Sequence, residues 1–64
     1  VRVMSKFEVV FSTDNAAFED NFEYEIDFIF AQVKYAAVGL GREFSRLHDS
    51  NGNRVGFFNH QKDD

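Results

Sequence analysis

The chain has 64 residues, no cysteine, nine phenylalanines and two tyrosines, and its eleven acids against seven bases give a net charge of −4. That length allows one domain, residues 1–64, which buries only about 60% of its unfolded surface, so aromatic packing has to supply most of its stability. The missing cysteines exclude disulfides and thiolate zinc sites. The acidic balance argues against direct nucleic-acid binding, which draws on lysine and arginine to neutralise phosphates; it suits a basic partner, and proteins that handle nucleic acid are the obvious class.

In chain order, Met4 is expected to be the natural start, with residues 1–5 frayed. No apolar run opens the chain as a secretory signal would, and none approaches the roughly 18–20 residues that span a bilayer, so a cytoplasmic protein without a membrane partner is expected. Lys6 to Thr13 places Phe7, Val9 and Phe11 in alternation with Glu8, Val10 and Ser12, the period of a strand. Asp14 to Asp20 (DNAAFED) predicts a capped turn or short helical turn, with Asp14 or Asn15 accepting from free backbone amides. Asn21 predicts the cap of the main helix, Phe22 to about Val38, which Gly39 and Gly41 would end.

Glu43 to Asp49 and Arg54 to Asn59 predict a hairpin around Asp49-Ser50-Asn51-Gly52-Asn53, with Gly52 left-handed and a bulge at Asn53. Counting back from an Asp49–Asn53 closure sets His48 opposite Arg54, Leu47 opposite Val55, Ser45 opposite Phe57 and Phe44 against Phe58. The tail, residues 60–64, is expected to fray. The fold class is therefore α+β, with the order β-α-β-β: a three-stranded, mainly antiparallel sheet with one helix packed on one face.

The helix carries two apolar stripes. At 3.6 residues per turn, Phe22, Ile26, Ile29, Phe30, Val33 and Ala37 share a face that must meet the sheet. Tyr24, Phe28, Ala31 and Tyr35 gather on the opposite face, which such a domain has no need to bury. Contiguous apolar patches of this kind mark interfaces, so Tyr24, Phe28 and Tyr35 are candidate contacts with a partner or a second copy. Val10 with a Phe44–Phe58 pair would form a further patch on the outer sheet face.

Six of the eleven acids, Asp14, Glu19, Asp20, Glu23, Glu25 and Asp27, lie within one stretch that contains no base. The helix macrodipole accounts for Asp20 and Glu23, favouring first-turn acids by about 0.3–1 kcal/mol each. It does not account for Asp27, which has the like charge of Glu23 four residues before it. Glu23 and Asp27 are about 6 Å apart along the axis, close to the roughly 6.8 Å that two steps of one DNA strand cover. A solvated acidic face has the same pattern, so the spacing is compatible with phosphate mimicry without being specific to it.

Nothing in the chain points to an enzyme, a metal or a cofactor. His48 and His60 fall at opposite ends of the hairpin, on the order of 20 Å apart at about 3.4 Å per residue. No nucleophile motif or phosphate loop is present. Asp49-x-Asn51-x-Asn53 opens like a calcium loop but has Arg54 where the sixth position needs Gly and His60 where the twelfth needs Glu.

Three segments together, Thr13 to Asp20 (TDNAAFED), Glu25-Ile26, and Asp49 to Gly56 (DSNGNRVG), resemble a group of small phage and prophage proteins. The resemblance runs from Phe7 to Gly56, and its motifs are turn-and-cap chemistry that speaks for fold before activity. In length and acidity the chain is similar to anti-CRISPR proteins. That likeness implies an inhibitor of a type I surveillance complex, with type I-C a candidate, which binds a basic DNA-contacting subunit and competes with target DNA. The chain departs from the group at Phe28, Ala31 and Tyr35, where charged residues are usual. The alternative is a phage structural or regulatory protein that homodimerises through the aromatic stripe; either reading allows a monomer or a weak homodimer.

Overall fold

The computed structural model describes residues 5–62, so the first four residues, Met4 among them, and the last two lie outside the described part. The order of elements is β1 (Lys6–Phe11), α1 (Ala16–Asp20), α2 (Phe22–Lys34), a π-helical turn (Tyr35–Gly39), β2 (Phe44–His48) and β3 (Arg54–Gln61). The three strands form one antiparallel sheet in the order β1-β3-β2, with the last strand in the centre. The protein is α+β, and the helical layer lies on one face of that sheet.

Local chemistry explains the element boundaries. Asn15 caps α1, its side-chain oxygen accepting from the N–H of Phe18. Asn21 breaks α1 from α2 and caps the second helix by accepting from the N–H of Tyr24. The α-helix gives way at Tyr35 to the wider π turn, and Leu40 N–H then donates to Tyr35 C=O. Gly41, at φ 67°, takes the left-handed conformation that lets the chain leave for β2. The expected single helix to Val38 is thus an α-helix to Lys34 followed by one widened turn.

The hairpin turn closes as its residues require. Asp49 N–H donates to Asn53 C=O and Gly52 N–H to Asp49 C=O, with Gly52 at φ 88°. His48 pairs with Arg54, but a bulge between Leu47 and His48 shifts every pair beyond it. Leu47 faces Gly56, Ser45 faces Phe58 and Phe44 faces Asn59, each one residue from the register counted back from the turn. The shift turns Phe58 inward to full burial and leaves Phe57 stacked on Phe44, ring centroids 5.8 Å apart, on the outer face. The outer patch is therefore Val10, Phe44 and Phe57, without Phe58. His60 and Gln61 are paired with Phe7 and Lys6, so β3 extends two residues into the segment expected to fray.

The core consists of Phe18, Ile29, Val33, Ala36, Leu47 and Phe58, with Val9, Phe11, Ile26, Ala37 and Val55 packed against it. Gly56, on the central strand, allows β1 to approach: a Cβ there would lie 1.9 Å from Val10 O and 2.5 Å from Phe11 Cα. Helix α2 is turned from the expected orientation by roughly 45°, taking about 3.6 residues per turn. Its buried line runs Glu25, Ile29, Val33 and continues to Ala36 in the π turn, while Phe22 and Phe30, expected in the core, are more than half exposed. Both stripes are apolar enough to pack, and the polar anchors described next decide between them.

Candidate partner-binding surfaces

Two carboxylates tie the helical layer to the hairpin turn. Asp49 is 2% exposed, and its Oδ1 accepts from the backbone N–H groups of Asn51 and Asn53, each at 2.9 Å. Its Oδ2 accepts from Asn15 Nδ2 at 2.9 Å and from Asn53 Nδ2 at 3.5 Å. Burial pushes this carboxyl up, yet the backbone amides of Asn53 and Asn51 and the side-chain amides of Asn53 and Asn15 together outweigh it and hold it below its ordinary value.

Glu25 is the second tie. It is 3% exposed, accepts from Ser50 N–H at 3.0 Å, and also accepts from the Ser50 hydroxyl. Two turns further along α2, His48 N–H donates to Gln32 Oε1 at 3.1 Å while Gln32 Nε2 donates to His48 C=O. Glu25 and Gln32 lie on the same side of α2, and satisfying both pulls that side down onto β2. No buried side-chain polar atom among the described residues lacks a partner.

This corrects one expected site residue. Glu25, expected among the acids that meet a partner, points into the protein and holds the turn. Its actual partner is 25 residues distant in sequence, beyond the reach of any local pattern. The other five acids are exposed: Asp14 before α1, Glu19 and Asp20 on α1, and Glu23 and Asp27 on α2. The ion pairs among the described residues, Lys6–Glu8 and Lys62–Glu43, each at 3.6 Å, involve none of these five. Their charge is left to solvent or a partner.

The aromatic candidates lie alongside. Tyr24 is 54% exposed and stacks on half-buried Phe28, with centroids 6.2 Å apart. Tyr35 is exposed further along and, with Ala31, Lys34, Val38 and Gly39, lines a shallow groove of about 350 Å³ whose walls are almost wholly apolar. Glu23 and Asp27 flank this stripe on one side, so α2 presents one surface of carboxylates beside aromatic rings.

The segments Thr13 to Asp20, Glu25-Ile26 and Asp49 to Gly56 meet in space. Asn15 of the first holds Asp49 of the third, Glu25 of the second holds Ser50, and Gly56 admits the strand that ends at Phe11. They form the joints of the fold. No helix among the described residues is long and apolar enough to cross a membrane. No family model, curated protein or solved structure matches the chain.

Proposed function

We propose that the protein is a non-enzymatic inhibitor that acts by binding a basic, nucleic-acid-handling protein, and that its partner is a DNA-contacting subunit of a type I CRISPR surveillance complex. The observation that carries the reading is the exposed set Glu19, Asp20, Glu23 and Asp27, free of ion pairs and set beside the Tyr24–Phe28 stack. The carboxylates suit an Arg/Lys groove that otherwise takes DNA phosphates, and Tyr24, Phe28 and Tyr35 suit the desolvated anchor contacts that dominate interface energies. The choice of a type I complex comes from the resemblance to phage proteins. In a gel shift of the surveillance complex on its target DNA, the protein abolishes the shifted band, and rising salt restores it. Unchanged DNA binding at low salt refutes competition for the DNA site.

A second reading has its own observation. Tyr35 and Val38, 66% and 76% exposed, border the apolar groove at the end of α2, a surface suited to a second copy of the chain. In that case the acids keep the protein soluble and the stripe forms a homodimer. Light scattering across a dilution series separates the two: a mass that stays twice the monomer favours the dimer, and a monomer throughout favours a foreign partner.

A further inference from the structure

The charge of this chain is segregated. The exposed acids without a counter-ion, Asp14, Glu19, Asp20, Glu23 and Asp27, precede or belong to the helical layer. On the sheet, Glu8 and Glu43 are each paired with a lysine, which leaves Arg46 and Arg54 without an acid among the described residues. Both arginines line a groove of about 410 Å³ on the outer sheet face, together with Phe44 and Phe57. The two rings stack at 28° to one another, 49% and 38% exposed, and Arg46 lies over the Phe44 ring at 6.0 Å. Val10, opposite Phe57 on β1, is 52% exposed and extends the apolar floor.

We propose that this outer sheet face is a second binding site, a stacking platform for single-stranded nucleic acid. Exposed aromatic rings on adjacent antiparallel strands offer π-faces to unpaired bases, and flanking guanidinium groups take the phosphates. The bulge at Leu47/His48 creates the platform, since it leaves Phe57 beside Phe44 on the solvent side. A net charge of −4 does not prevent this, because at about 0.1 M salt charges more than roughly 10 Å away are largely screened. The acids on the helical layer face away from the groove, so this site and the proposed protein-binding surface occupy opposite sides of the molecule.

The test is fluorescence anisotropy of a labelled oligothymidylate titrated with the whole protein. Binding is expected, with an affinity that falls as salt rises. Phe57→Ala or Phe44→Ala weakens it at least about five-fold, the low end for loss of one stacked base. Arg46→Ala reduces the salt slope by about 0.7, the value for one single-strand phosphate contact. Phe44 and Arg46 lie on an edge strand and are exposed, so unaltered circular dichroism verifies that these variants fold. No anisotropy change up to about 0.1 mM protein, the weak limit of non-specific binding, overturns the proposal. So does a duplex that binds as tightly as the single strand, or a polyglutamate peptide that competes as well as the unlabelled oligonucleotide, because either result removes the bases from recognition.

Discussion

Glu25→Ala separates a structural carboxylate from a binding one. The substitution removes two hydrogen bonds to Ser50, accepted by a carboxylate that is 3% exposed. Hydrogen bonds to charged groups contribute about 1.5–3 kcal/mol each, and the exposed Ser50 recovers part of this by hydration, so the net loss is about 2 kcal/mol. For a domain of this size each kcal/mol moves Tm by about 4–8 °C, which gives a fall of roughly 8–16 °C. Thermal circular dichroism of Glu25→Ala, Ser50→Ala and the double variant reads this directly. The two single losses should sum to more than that of the double variant, because the residues share one interaction. Glu23→Ala, on the exposed side of the same helix, stays within about 1 kcal/mol of the parent, the most that a first-turn acid gains from the helix macrodipole. A Glu25→Ala protein as stable as the parent but unable to bind its partner would refute the reasoning and return Glu25 to the binding surface.

Gly56→Ala places a methyl group 1.9 Å from Val10 O and forces β1 off the central strand. The cost reaches or exceeds the about 1–3 kcal/mol of an overpacked core, and at about 1 kcal/mol per molar urea the unfolding midpoint falls by roughly 1–3 M; an unmoved midpoint would contradict the close approach. Asp49 makes stability depend on acid. Its carboxyl is depressed in the folded protein, so its contribution is present in full above the unfolded value of about 3.9 and is lost as pH falls through the lower folded value. Urea midpoints measured at neutral pH and near pH 3 should fall more in the parent than in Asp49→Asn; equal falls would assign acid sensitivity to other groups.

The features legible in the sequence were those whose causes are local. Alternating Phe7, Val9 and Phe11 marks β1, Asn15 and Asn21 stand at their caps, and Gly52 takes the left-handed place in the turn. The register of β2 on β3 was not legible, because a bulge between Leu47 and His48 has no residue signature and displaces every pair counted back from the turn. The same displacement exchanges Phe57 and Phe58 between surface and core. The orientation of α2 failed for a related reason. With phenylalanine on both sides of the helix, periodicity alone does not choose the buried line, and the choice rests on Glu25 and Gln32 reaching Ser50 and His48. Glu23, Tyr24 and Asp27 are exposed on α2 because they lie off the buried line under either orientation.

The claim that the acidic face of the helical layer competes for a DNA-binding groove is tested most directly by reversing its charge. Glu23→Lys combined with Asp27→Lys leaves every core and turn contact in place. In a gel shift of the type I surveillance complex on target DNA, run across a salt series, the parent protein should block the shift at low salt and release it as salt rises. The double variant should leave DNA binding intact at every salt concentration. Inhibition by the double variant equal to that of the parent would contradict the account and exclude these carboxylates from partner recognition.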